Sequence, residues 1–184
     1  MGCFATIIFT ASSGIFFRWM ERSPRPPWEG KKTGPSPVDR GKKGTKRSIV
    51  TEAGGLAIGV VPAGANRNDF KLARETLESI PIERPVPTPE KPQGMCMDKD
   101  YDKTEVRALL KEFGFTAHIR ARGEEAQDLK KKAKAKARRW VVERKHSWMN
   151  QWRAVLTRWC KKADNYLGLL HLTLGVITWR KWAY

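Results

Sequence analysis

The chain opens on a mostly apolar run of about 14 residues, Phe4 to Phe17. That is shorter than the roughly 18 to 20 needed to span a bilayer, and no Lys or Arg precedes it as a secretory leader requires. From Glu21 to Lys46 the pattern breaks up, and Pro24, Pro26, Pro27, Pro35 and Pro37 predict a loop in place of a helix or a central strand. Arg47 to Thr51 and Leu56 to Val61 are β-prone runs joined by Glu52-Ala53-Gly54-Gly55, which predicts a hairpin. Phe70, Leu72, Ala73, Leu77 and Ile80 then follow at helical spacing, with Asn66 or Asn68 as the cap.

Prolines between Pro81 and Pro92 end that helix, and Gly94 to Met97 forms a short buried strand ending at Asp98. Thr104 to Phe113 reads as a helix stopped by Gly114, and Phe115 to Ile119 as another strand. Arg139 to Trp159 is placed on one helix, with Val141, Trp148, Trp152, Val155 and Trp159 as its core stripe and Glu143 on the opposite face with Arg139 and Asn150. Leu167 to Trp179 is interrupted by His171 and Thr residues and reads as a buried helix. Strands and helices alternating after an antiparallel hairpin predict an α/β domain with a mixed sheet.

Composition adds a partner class. The 184 residues hold 36 Lys+Arg against 19 Asp+Glu, a net charge of +17, which favours a polyanion and nucleic acid above a membrane surface. Lys130 to Lys162 alone contains 13 Lys or Arg and one acid, Glu143. Cys3, Cys96 and Cys160 are odd in number and far apart, which excludes a disulfide framework, and His118, His146 and His171 are too scattered for a zinc site.

Two carboxylates stand out. Asp98 ends a strand, where ligands and metals collect in α/β sheets, and Asp100 or Asp102 is free to cap the helix at Thr104. Glu143 alone is equally an exposed glutamate paired with Arg139 one turn earlier. Together, in a basic protein, a strand-end Asp and a helical Glu fit metal-assisted phosphoryl transfer.

Pro37-Val38-Asp39-Arg40-Gly41-Lys42, Gly64-Ala65-Asn66 with Asp69, Asp98-Lys99-Asp100-Tyr101-Asp102, Trp140-Val141-Val142-Glu143-Arg144 and Asn165-Tyr166-Leu167 stand in order along about five sixths of the chain. In these motifs the sequence resembles bacterial insertion-sequence transposases of the Asp-Asp-Glu class. The resemblance implies a catalytic domain over residues 31–184 behind an apolar, irregular segment 1–30. It implies an α/β fold, a ribonuclease H-like mixed sheet flanked by helices, with the first strand missing or disrupted. It makes Asp98 and Glu143 catalytic acids and ligands of Mg2+ or Mn2+, and DNA the partner, both transposon ends and target. A homodimer or a complementing transposase chain, a bacterial cytoplasmic, nucleoid-associated location and no stable membrane partner follow in the same way.

The family's first Asp has no counterpart where it is expected: Trp19 to Glu29 offers only Glu21 and Glu29 among prolines. Cleavage and strand transfer are therefore expected to be impaired, the alternative being a catalytically inactive DNA-binding remnant. The phosphate contacts expected are Arg40, Lys42, Lys43, Lys46 and Arg47 in the basic loop, and Arg139, Arg144, Lys145, Arg153 and Arg158 on the helix. A basic membrane-surface protein is the remaining reading.

Overall fold

The computed structural model describes residues 15–19, 30–37, 40–97, 99–119 and 147–183. Its elements are β1 (Ile15–Trp19), β2 (Gly34–Pro35), β3 (Lys43–Thr51), β4 (Ala57–Gly64), α1 (Asp69–Glu78), β5 (Gln93–Met97), a 3-10 turn (Lys99–Tyr101), α2 (Thr104–Glu112), β6 (Phe115–Ile119), α3 (Arg153–Leu156) and α4 (Ala163–Ala183). The strands form one mixed sheet: β4 pairs with β3, then β1, β5 and β6 follow in order. β3 runs antiparallel to β1, β2 and β4, whereas β1, β5 and β6 run parallel.

β3 is longer than its apolar run suggests. Pairing of Gly44 with Gly34 and of Thr45 with Gly64 extends it back to Lys43, because neighbours on both edges take up its backbone hydrogen bonds. β1 is a larger departure. Where a first strand missing or disrupted was expected, Ile15–Trp19 occupies the centre of the sheet between β3 and β5. The prolines that argue against a strand begin only at Pro24, after it has ended. The sheet thus takes its central strand from the segment read as an irregular N-terminal unit.

The two faces of β3 carry different chemistry, since successive side chains alternate. Val50 joins a cluster with Ala73, Leu77, Met95, Val106 and Leu110 beneath α1 and α2, and on the same face Ser48 meets the Thr76 hydroxyl at 2.8 Å. Ile49 faces the other way, into Val60, Met149, Val155, Tyr166, Leu170 and Leu174 beneath α3 and α4. A bulge between Val50 and Thr51 steps the register of β4, so Ile58 packs under α1 and α2 while Ala57 packs on the α4 side. Gly59 is the close-approach point: a Cβ there would lie 2.8 Å from Ser79 Oγ and 3.1 Å from the Thr76 carbonyl, so α1 can rest on the sheet.

Three helices match the periodicity. α1 follows Asn68, which is extended at φ −65°, ψ 141°; α2 ends before Gly114 at φ 73°; and α4 buries Tyr166, Leu170, Leu174 and Ile177. Among the described residues no helix is long and apolar enough to cross a membrane. The long helix expected over Arg139 to Trp159 is interrupted in its described part. Residues 147–150 are helical, Trp152 is extended (ψ 103°), α3 covers four residues, and Thr157 is extended again (ψ 115°). That break shifts the helical phase: Met149 is buried although it lay outside the expected stripe, and Trp159 is 58% exposed.

Candidate functional site: the carboxyl end of β1 and β5

β1 and β5 are parallel and adjacent, with Ile15 beside Met95 and Phe16 beside Cys96. Ligands of open α/β sheets bind at the carboxyl ends of such strands. Because β3 is antiparallel to β1, its first half shares that end, with Trp19 opposite Ser48. The end of β4 and the start of α1 lie there as well, since Thr45 and Lys46 pair with Gly64 and Ala63.

β1 reads Ile-Phe-Phe-Arg-Trp and brings no carboxylate. Asp98 follows β5 directly in sequence but, like Glu143, lies outside the described residues, so the two proposed acids are not placed. Arg139, Arg144 and Lys145 are outside them too. Among the described residues, no three His, Cys, Asp or Glu side chains converge as a metal would require. Of the acids near the end of β5, Asp102 accepts a 2.8 Å bond from Arg107 Nε, and Asp100 is exposed and close enough to Asp69 to raise its pKa.

The basic residues divide sharply. Arg40, Lys42, Lys43 and Arg153 are exposed, as a phosphate contact requires. Lys46, Arg47 and Arg158, also expected as phosphate contacts, are buried to 5%, 2% and 1% exposure. Lys46 Nζ donates to Asp69 Oδ1 and to the Arg67 carbonyl, both at 2.6 Å. Arg47 Nη2 donates to Asn150 Oδ1 at 3.0 Å. Arg158 Nη1 donates to Thr45 Oγ1 at 2.7 Å and to the Lys32 carbonyl at 3.3 Å, and Nη2 to the Lys31 carbonyl at 2.9 Å. Its Nε reaches the Cys160 carbonyl at 3.1 Å, and its guanidinium lies 5.2 Å from the centre of the Tyr166 ring.

A charged residue between prolines and glycines looks like loop in a sequence. Here Lys46 and Arg47 alternate on a strand with a helical layer on each face, so one is covered by α1 and the other by the 147–183 layer. Burial lowers the pKa of Arg47, opposed by Tyr166, and raises that of Tyr166, opposed by Arg47 and Arg158. Arg47 Nη1 has no hydrogen-bond partner among the described residues. Cations that the sequence reading passed over take the exposed role: Arg67, Lys71 and Lys32 surround the turn between β4 and α1. For Arg67 and Lys71 the available signal was their position beside Asn66 and Asn68 at a helix start.

Two acids, Asp69 at this end and Glu112 at the far end of α2, titrate in opposite directions. Asp69 is pushed above the ordinary aspartate value chiefly by burial, against the Lys46 ammonium. Glu112 is held below the ordinary glutamate value chiefly by its hydrogen bonds from Arg74, at 2.9 and 2.6 Å. Folding therefore favours protonated Asp69, and that contribution is present at low pH and lost as pH rises through its raised pKa. Glu112 contributes above the usual carboxylate range and loses that contribution as pH falls through its lowered pKa. Carboxyl 13C NMR titration is expected to show the Asp69 midpoint above that of an ordinary aspartate and the Glu112 midpoint below that of an ordinary glutamate; an Asp69 midpoint below the ordinary value would mean that the Lys46 ammonium outweighs burial there.

A family model described as the transposase DDE domain matches residues 14–177. A putative transposase for insertion sequence element IS402 from Burkholderia cepacia is 33% identical over 156 residues, which cover 83% of this chain and 71% of that protein. Among solved structures, the piggyBac transposase synaptic complex with hairpin DNA overlaps 67% of this chain and 26% of its own, with a TM-score of 0.38 and 13% identity. The Mos1 strand transfer complex overlaps 89% and 51%, with a TM-score of 0.38 and 14% identity. The chain therefore spans about a quarter and about half of those two proteins.

Proposed function

Because this chain belongs to the transposase DDE-domain family, we propose that it binds transposon DNA but is impaired in cleaving and joining it, for want of the first acid. The observation that carries this reading is the composition of β1. It is the strand beside β5, at the carboxyl end where the catalytic acids of such a sheet belong, and it holds no Asp or Glu. The strand order, antiparallel β4, β3 and β1 followed by parallel β5 and β6, supports a ribonuclease H-like reading of the fold.

Asp98 and Glu143 are the residues that would hold Mg2+ or Mn2+, and hard carboxylate oxygens suit those ions. A bound divalent cation supplies Lewis-acid activation of the attacking hydroxyl and charge neutralisation at the phosphorus. The chain's own contribution is positioning. Arg47 ties β3 to Asn150. The exposed Arg40, Lys42, Lys43 and Arg153 are proposed to hold the DNA backbone. A bacterial cytoplasmic site of action belongs to the same proposal.

The test is to purify the whole chain and incubate it with matched transposon ends and Mg2+. The expected result is DNA binding that weakens steeply with salt, together with weak or absent joining. Robust Mg2+-dependent joining by the unaided chain would overturn the impairment, and a flat salt response would overturn the phosphate contacts. Joining that is restored by a second transposase chain with an intact first strand would identify a complementing partner. An inactive remnant is favoured if binding persists and no cleavage is detected even with such a partner.

A further inference from the structure

We propose that the open groove between β2 and the start of α1 is a docking site for the sugar-phosphate backbone of duplex DNA. Its walls are Thr33, Gly64, Asn66, Arg67, Asn68 and Lys71, and it encloses about 470 Å3. The inference rests on the transposase reading and adds a contact surface and a control element to it.

The groove exists because two glycines let backbone and side chain approach. A Cβ on Gly34 would fall 2.0 Å from Asn66 Oδ1, and one on Gly64 would fall 2.7 Å from the same atom and 3.2 Å from the Thr33 carbonyl. Asn66 therefore lies against β2 and β4, and Arg67 and Lys71 stand along the rim. Lys32 extends the cationic side from the neighbouring turn, where it adopts a left-handed conformation at φ 61°. A non-glycine residue in that region is held by its surroundings, and here the support is Arg158, bonded from beneath to the carbonyls of Lys31 and Lys32.

The chemistry of the lining selects the occupant. A hydroxyl, two amides, a guanidinium and an ammonium are the groups that hold phosphate and sugar oxygens. Among the described residues the lining offers no large apolar side chain to enter a bilayer, which disfavours a lipid surface. An open groove suits an extended polyanion better than an enclosed small ligand.

One acid sits among these cations. Glu75 accepts from Lys32 Nζ at 3.3 Å and lies 3.8 Å from Arg67 Nη1, and both pairs are solvent-exposed. In the absence of DNA it therefore engages two of the groups a phosphate would use. Docked DNA competes with Glu75 for Lys32 and Arg67, so this carboxylate sets the affinity of the groove.

The experiment is fluorescence anisotropy of a labelled duplex of arbitrary sequence, titrated with the whole chain across about 0.05 to 0.3 M salt. Arg67→Ala with Lys71→Ala is expected to weaken binding about tenfold at low salt and to flatten the log-affinity against log-salt slope by about two. Glu75→Gln is expected to tighten binding severalfold. Circular dichroism melts confirm that each variant is folded. If the chain binds DNA and all these variants keep its affinity and slope, the groove assignment is overturned and the transposase reading stands. If the parent chain binds no DNA, both fail. If it binds phosphatidylserine vesicles instead and loses them in the double variant, the groove belongs to a membrane and the proposal is overturned.

Discussion

Replacing Arg18 by aspartate is expected to raise Mg2+-dependent cleavage of transposon ends by about a hundredfold. The position follows from backbone register. Phe16 stands beside Cys96 in the parallel pair of β1 and β5, and Arg18 is the fourth of the five residues of β1, near the carboxyl end of that strand. On its other edge Arg18 is paired with Ile49, the β3 residue on the sheet face toward Met149 and Val155. On the proposed reading, a carboxylate introduced there would supply the third acid beside Asp98 and Glu143. The gain corresponds to about 3 kcal/mol of transition-state stabilisation, the scale of one well-placed metal-ion contribution. It should vanish in EDTA and in Arg18→Asp combined with Asp98→Asn. A folded Arg18→Asp chain with no gain would mean that the lost acid belonged elsewhere, or that joining needs more than the third ligand.

The second large effect concerns Arg158. Its guanidinium is buried without a carboxylate partner among the described residues and instead bonds Thr45, the carbonyls of Lys31 and Lys32, and the Cys160 carbonyl. Those groups belong to β3, to the turn before β2 and to the turn before α4, so one side chain fastens three chain segments. Arg158→Met keeps much of the volume but leaves these acceptors unpaired. The expected cost is about 3 to 5 kcal/mol, equivalent to a fall in melting temperature of roughly 10 °C. Arg158→Lys should recover less than half, because a compact ammonium cannot reach this spread of acceptors in the fork geometry of a guanidinium. Thermal unfolding followed by circular dichroism measures both, and an Arg158→Met chain melting within about 2 °C of the parent would remove Arg158 from that role.

These two arginines show where the sequence was readable and where it was not. Helix α1 follows from the apolar spacing of Leu72, Ala73 and Leu77, because a helix buries residues at its own period whatever it packs against, and α4 from the length of the apolar run Leu167 to Trp179. The stops at Gly114 and at the prolines after Ile80 are equally local, set by backbone sterics. β1 was hidden because Ile15 to Phe17 continues an apolar run without alternation, and a central strand has no other local mark. Lys46, Arg47 and Arg158 were read as surface charge because nothing within a few residues of them announces a covering layer. The Arg139 to Trp159 stripe failed at Trp152 for the same reason: the extended break there accompanies the packing of Met149 and Val155 beneath α4.

The amino-acid sequence by itself determined the family motifs and their order, the excess of basic residues, the absence of a carboxylate from Ile15 to Trp19, and the periods of the helices. All are properties of composition or of neighbours along the chain. Tertiary structure alone decided which cations meet solvent. Lys46 and Arg47 are sequence neighbours on opposite faces of one strand, and each is buried by an element far away in sequence, Asp69 on α1 for one and Asn150 for the other. Burial is a non-local property, so the exposed charge is left to Arg40, Lys42, Lys43, Arg67 and Lys71, which no second layer covers among the described residues.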